Sequence, residues 1–304
     1  MDTDRPQGKT NTATGQNEPY SGQALEAGTA AAEESAKTNT DNIFLTVVIP
    51  AYNEQVRLSE TLHRVLSWLE EQSFTSEVLV VDDGSEDATA SVVQKIINER
   101  ELAEKNGTTA LCRLRLIIND HRGKGYAVRT GMLEGRGRYI LFSDADLSTP
   151  ISEASKLLAW FDQGYQVAIG SREGKDAHRY NEPGYRHFMG RVFNLLVRMV
   201  TFSPFQDTQC GFKAFTREAA RDIFKGVQLY GENSHKVTGA MVTGFDVEVL
   251  FLASKRGYRV REVPVQWYHV EGSKVSPLKD SVRNALDVLK VRVNDLRGLY
   301  RKKS

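Results

Sequence analysis

Several short polar clusters in this chain carry residue types able to hold a phosphorylated ligand. Asp144-Ala145-Asp146 sets two carboxylates at i and i+2. If the chain bends between them they converge on one divalent cation, magnesium or manganese by the hardness of the ligands, and such an ion would hold a diphosphate. The same pair also reads as a solvated loop, because Ser148 or Thr149 before Pro150 makes a good helix start. Asp82-Asp83-Gly84-Ser85 reads as turn chemistry. An acidic residue there can equally accept the imide N–H of a uracil or the hydrogens of a ribose. His121-Arg122-Gly123-Lys124-Gly125 lets backbone approach a phosphate beside a positive charge at Lys124, or simply forms a turn, and it matches neither a P-loop nor a dinucleotide fingerprint.

Two later clusters have similar double readings. Asp207, ahead of Gln209-Cys210-Gly211, could orient hydroxyls of a ligand, act as a base, or cap a loop. Asp246 and Glu248 begin a helix whose Val247, Val249, Leu250 and Leu252 are expected in the core.

These clusters need a scaffold, and the apolar pattern supplies one. Short β-branched runs at Phe44–Ile49, Val78–Val81, Leu114–Ile118, Tyr139–Phe142 and Val167–Ile169 alternate with helical spacing. Between the first two runs, Leu58, Leu62, Val65, Leu66 and Leu69 share a helical face; Val92, Val93, Ile96 and Ile97 do so after the second. Such alternation implies βαβ units, an α/β fold and a mostly parallel sheet flanked by helices. Ligands of open α/β sheets sit beyond the carboxyl ends of the strands, and those ends are where the polar clusters fall.

Composition narrows the class further. The 40 Lys and Arg nearly balance the 39 Asp and Glu, which gives no electrostatic reason to expect nucleic acid as a partner. Two cysteines, Cys112 and Cys210, cannot build a disulfide framework and suit a reducing, cytoplasmic compartment. Residues 1–42 have almost no large apolar residues and no signal-peptide core, and read as a disordered tail. No run reaches the roughly 18 to 20 uncharged apolar residues of a membrane span.

Taken in order, Pro50-Ala51-Tyr52-Asn53-Glu54, Val81-Asp82-Asp83-Gly84-Ser85 and Asp144-Ala145-Asp146 resemble the family 2 glycosyltransferases of GT-A fold. Asp207–Lys213, Gly244–Glu248 and Glu271–Val275 are similar to the dolichyl-phosphate glucosyltransferase branch, which stands beside the mannose synthases. The resemblance runs from about Leu45 to Ser276 and implies a GT-A domain over residues 43–276, followed by a basic amphipathic helix at 277–304.

By resemblance, Pro50, Ala51, Tyr52, Glu54, Val81 and Asp83 hold the nucleotide, with Lys124, Ala145 and Asp246 also on the donor side. Asp144 and Asp146 bind the metal and diphosphate. Ser148 stands where many mannose synthases carry a glutamine that helps ligate the metal, and this departure disfavours mannose. Arg172 matches a phosphate-contacting arginine, Lys274 a basic residue near the donor diphosphate, and His269 falls near an arginine of the mannose synthases. The implied reaction is inverting transfer of glucose from UDP-glucose to a polyprenyl monophosphate at the cytoplasmic face of a membrane. The alternatives are a GDP-mannose donor or a soluble acceptor.

Two segments bear on lipid contact. Tyr185–Phe205 mixes Phe188, Met189, Val192, Phe193, Leu195, Leu196, Met199 and Phe202 with arginines, as core helices or interfacial ones do. In the last segment Val282, Ala285, Leu286, Leu289, Val293 and Leu296 share a helical face. Docking of that face on the domain is the first expectation, with lipid contact second and a homodimer the third use. Residues 173–184 read as a lid or a plain surface loop.

Overall fold

The computed structural model describes residues 42–107, 111–180, 184, 195, 197–201, 204–232, 234–239, 244–270 and 277–301, with side chains of the last segment described from residue 283. The tail, most of Tyr185–Phe205 and Lys274 lie outside the described residues. Residues 42–304 make one compact unit.

Its centre is a seven-stranded sheet. β1 (Leu45–Ala51), β2 (Ser76–Asp82), β3 (Cys112–Ile118) and β4 (Tyr139–Ser143) alternate with α1 (Leu58–Glu70), α2 (Thr89–Lys105) and α3 (Lys124–Glu134). After β4 come a short helix α4 (Ala154–Leu158), β5 (Val167–Ser171), β6 (His178–Tyr180) and β7 (Phe212–Thr216). Then follow α5 (Arg217–Gly226), α6 (Phe245–Lys255), β8 (Val260–Pro264), β9 (Gln266–Tyr268) and α7 (Pro277–Leu296). The strand order is β3-β2-β1-β4-β7-β5-β8, and β6 pairs with β9 in a separate ribbon.

The elements follow from the expected patterns. In α1, Leu58, Leu62, Val65, Leu66 and Leu69 are all buried against β1 and β2. Strands β1, β2, β4 and β5 are buried along their whole length, as strands covered on both faces must be. Helix α3 lies close on the sheet because Gly131 has no side chain; a Cβ there would stand 2.2 Å from Val48 Cγ1.

Four strands, β6 to β9, were not foreseen. β7 runs antiparallel between β4 and β5, pairing Ser143 with Phe212 and Ile169 with Lys213. Five residues between a glycine and a helix, with a lysine second, give little periodicity to read. Its placement decides the site. The N-terminal end of β7 lies between the carboxyl ends of β4 and β5, so the loop before it is wedged between two ligand-facing strand ends.

Helix α7 also departs from expectation. It does dock on the domain, but through Asn284, Asp287, Val288 and Val291, while Leu286, Leu289, Val293 and Leu296 point outward. Its apolar stripe is therefore not the docking face. Asp287 accepts from Tyr230 Oη at 2.7 Å and Gly244 N at 3.2 Å, and Tyr300 Oη donates to Glu248 at 2.6 Å. Those bonds hold the helix by its polar side.

Candidate active site

The polar clusters do gather along one edge of the sheet. At the end of β2, Asp83 is buried and accepts from the backbone of Arg122 (3.0 Å) and Gly123 (2.8 Å) and from His121 Nδ1 (2.8 Å). Burial pushes its carboxyl pKa up, against the pull of those hydrogen bonds. Three of its roughly four acceptor positions are used, leaving room on Oδ1. His121 stacks flat on Tyr52, with ring centroids 3.9 Å apart. Tyr52 thus stands over Asp83 by way of His121, a residue absent from the expected set although its motif was noticed.

The neighbours of Tyr52 serve the loop itself. Asn53 adopts φ +53 and accepts from Glu86 N at 2.9 Å. Glu54 pairs with Arg57 at 2.9 Å and its N–H donates to Thr89. Ala51 O accepts from Asp83 N at 2.8 Å, which ties the first two clusters together. Pro50 pairs with Val81 across β1 and β2. The Val81 side chain is enclosed between the sheet and α3, so it supports the cradle from beneath instead of lining it.

At the end of β4 the chain bends sharply. Leu147 takes φ +47, costly for a residue with a Cβ, and its N–H closes a turn on Asp144 O at 3.1 Å. The bend brings the two carboxylates together, as their spacing allows. Burial and then the charge of Asp144 raise the Asp146 pKa. Ser148 N donates to Asp146 Oδ1 at 3.0 Å, so Ser148 braces Asp146. Ala145 is buried, its carbonyl accepting from Thr61. Asp144 Oδ1 is shut off from solvent without a hydrogen bond of good geometry, and Lys124 Nζ lies 2.6 Å from it. Burial lowers the Lys124 pKa, but Asp144, Asp246 and Asp146 more than offset it and hold the ammonium above its usual value.

On the other side of Gly211 the charges are matched. Asp207 is fully buried and takes Arg172 Nε at 2.7 Å, Arg172 Nη2 at 2.9 Å and the Arg172 N–H at 2.9 Å. Burial alone would raise its pKa; the guanidinium outweighs that and holds it well below the carboxylate range. So placed, the carboxylate braces Arg172 and, accepting from Gln209 N at 3.1 Å, caps its own loop. Asp207 fixes Arg172, whose guanidinium also lies 5.5 Å from the Trp267 ring. Glu262 braces the loop by accepting from Gln206 N and Asp207 N.

Lys213 completes the floor. It is fully buried, donates to Cys210 O, and meets Asp246 Oδ1 at 2.5 Å. Burial raises the Asp246 pKa, with Lys213 and Lys124 opposing. No clear signal marked Lys213 in the sequence, because a lysine between Phe212 and Ala214 reads as the solvated face of a strand. Gly211 is where the halves touch, since a Cβ there would stand 2.2 Å from Asp144 Oδ2. His269 follows β9 with its N–H on Tyr180 O at 2.9 Å, its ring 5.9 Å from that of Trp267, which Arg172 faces. Residues 178–180, within the suspected lid, form β6 and are held by β9 and by Tyr180 stacked on Tyr268 at 4.5 Å.

Among the described residues no set of three or more His, Cys, Asp or Glu gathers as a complete metal site. The residues present nevertheless fit a hard divalent cation bound jointly with a phosphorylated ligand. Two half-buried, mutually repelling carboxylates face a single ammonium, and one carboxylate oxygen lacks a proper hydrogen bond.

A mostly parallel sheet with one antiparallel strand wedged beside an acidic strand end is the architecture of GT-A glycosyltransferases. Solved structures of this fold overlay on most of the chain. Glucosyl-3-phosphoglycerate synthase from Mycobacterium tuberculosis, in complex with UDP, has a TM-score of 0.54 at 17% identity, covering 92% of this chain and 87% of its own. A mannosyltransferase from Pyrobaculum calidifontis, in complex with GDP-Man and Mn2+, has a TM-score of 0.53 at 20% identity, covering 90% and 73%. The chain belongs to glycosyl transferase family 2, whose model matches residues 46–224. Among its relatives, the dolichyl-phosphate beta-glucosyltransferase of Drosophila melanogaster is 38% identical, covering 86% of this chain and 78% of that protein. The enzyme of the same name from Dictyostelium discoideum is 34% identical over 88% and 80%.

Proposed function

We propose that this enzyme transfers glucose from UDP-glucose to a dolichyl-type polyprenyl monophosphate, with inversion, at the cytoplasmic face of a membrane. Its kinship with dolichyl-phosphate beta-glucosyltransferases over about four-fifths of their length carries the transfer of glucose to dolichyl phosphate. The donor, the residue roles and the membrane face are our own reading. One structural observation supports them best: a charge-deficient carboxylate pair and a rigidly held guanidinium stand on either side of Gly211.

In this reading Tyr52, Asp83 and the loop from Pro50 to Glu54 hold the nucleoside. Asp144 and Asp146 hold a divalent cation, which when bound neutralises charge on the departing diphosphate. Lys124 adds a fixed positive charge on the same side. Arg172, locked by Asp207, presents its guanidinium to the acceptor phosphate, to which a planar fork is well suited. The acceptor is already an anion near neutral pH, so positioning and electrostatics dominate over proton abstraction. Asp246, kept in place by Lys213, is a contact for donor-sugar hydroxyls.

The test is transfer of labelled sugar from UDP-glucose, other UDP-sugars and GDP-mannose to a short polyprenyl phosphate, with Mn2+ or Mg2+ and with chelator. Chelator-sensitive transfer from UDP-glucose supports the reading. Preference for GDP-mannose overturns the sugar, and the lack of any lipid product points to a soluble acceptor.

A further inference from the structure

The outward stripe of α7 is not explained by folding. At 3.6 residues per turn Leu286, Leu289, Val293 and Leu296 fall in one line, with exposures of 52, 51, 44 and 78%. Beyond the helix Leu299 adds another exposed side chain, at 48%. A globular helix ordinarily turns such a line inward, yet here the inward face is Asn284, Asp287, Val288 and Val291. The stripe is thus matched to an apolar phase outside the domain. Isolated exposed leucines are ordinary; a row of four on a docked helix is not.

The charges beside it identify that phase. Arg283, Lys290 and Arg297 are exposed and recur every seven residues, which places them along one flank of the stripe. Lys290 also reaches Asp287, with Nζ 3.1 Å from Oδ1. A neighbouring helical stretch at 197–201 packs through Val197 on Val247 and Val288, and exposes Leu195, Arg198 and Met199 on its outer side. An apolar ridge with a basic border is the pattern of a helix lying in an anionic lipid interface. A second copy of the chain fits less well, because a two-fold contact would set like charges against each other. No helix among the described residues is long and apolar enough to cross a membrane.

We infer that the outer face of α7, with Leu286, Leu289, Val293 and Leu296 as its apolar ridge and Arg283, Lys290 and Arg297 as its basic border, docks the enzyme on an anionic bilayer. This deepens the proposed function, and rests on it for the presence of a lipid acceptor. The surface is linked to the site by a short path. Asp287, on the opposite face of α7, binds Gly244 N, two residues before Asp246. Docking therefore sets the reaction centre at a fixed height above the lipid headgroups.

The full chain and its Leu289→Glu/Val293→Glu variant would be sedimented with phosphatidylcholine vesicles, with and without phosphatidylserine, at low and high salt. The wild type is expected to bind the anionic vesicles, with binding falling as salt rises, and the double variant to bind about tenfold or more weakly. An unchanged melting temperature checks that the variant is folded. Transfer to polyprenyl phosphate in vesicles should fall in parallel, while transfer to a detergent-dispersed short prenyl phosphate stays unchanged. Equal vesicle binding by both proteins, no binding by the wild type, or a dimer in solution that the double substitution abolishes would each overturn the docking surface. Failure of transfer in detergent by the wild type would instead remove the proposed function, so the two failures are distinguishable.

Discussion

On the β5 side of Gly211, Asp207 has both carboxylate oxygens against Arg172, and its pKa is held down despite complete burial. On the β4 side, Asp144 and Asp146 share Lys124, and burial together with Asp144 pushes the Asp146 pKa up. The two regions are adjacent and both acidic, but Asp207 is fully buried whereas Asp144, its side chain 31% exposed, and Asp146 are half-buried. They differ in whether the protein supplies enough positive charge of its own. In the proposed function the carboxylate with a full complement of partners is scaffolding for its guanidinium, and the pair with too few partners is the place for a cation that arrives with substrate.

The largest expected effect comes from the charge-deficient side. Asp146→Asn should lower glucosyl transfer by about 10³-fold or more, the several kcal/mol that a misplaced metal would cost. Its melting temperature should be unchanged or higher, since a repelled carboxylate is removed. A nearly normal rate would break the comparison at its root.

On the matched side the expected loss is one of stability. Asp207→Ala removes the carboxylate that the Arg172 guanidinium, with its side chain 19% exposed, grips through two nitrogens. Denaturant unfolding should show a loss of about 3–5 kcal/mol. The pH dependence follows from the lowered Asp207 pKa: its contribution is present above the ordinary aspartate value of about 3.9 and lost as pH falls toward the folded value beneath it. Stability of the Asp207→Asn variant should therefore depend less on pH in that acid range than the wild type.

Between the two regions, Gly211→Ala sets a Cβ 2.2 Å from Asp144 Oδ2. The carboxylate must turn away, at about 1–3 kcal/mol by analogy with overpacked cores. Transfer should fall more than stability does, since Asp144 moves relative to Asp146. Equal losses in both would make the glycine a packing residue only.

The last prediction tests the electrostatic rule itself. Glu248 is fully buried and accepts only neutral donors, from Gln228 N, Leu229 N and Tyr300 Oη. Burial pushes its pKa up to about 7, opposite to Asp207. The folded state then holds a proton the unfolded chain releases, so stability falls as pH rises from about 4.5 to 7 and levels beyond. Glu248→Gln should flatten that slope in thermal melts.

What could be read in advance follows the same division. The β1, β2 and β4 ends were legible because each cluster is local: an apolar run, then its acidic residues, within a few positions. The bend at Leu147 and the stack of Tyr52 on His121 needed coordinates, but their segments were already singled out. The matched side was harder. Arg172 meets Asp207 across 35 residues and Lys213 meets Asp246 across 33, on a strand too short to announce itself. Helix α7 was recognised from its period, yet its orientation was not, because Asp287 and Tyr300 find buried partners that no pattern within the helix reveals.

The most direct test of the account is Mn2+ binding, by calorimetry or electron paramagnetic resonance, to the wild type and to Asp144→Asn with UDP present. The account predicts saturable binding that the substitution weakens at least about tenfold while the fold persists. Equal affinity in the two proteins would show that the carboxylate pair at the end of β4 does not hold the metal.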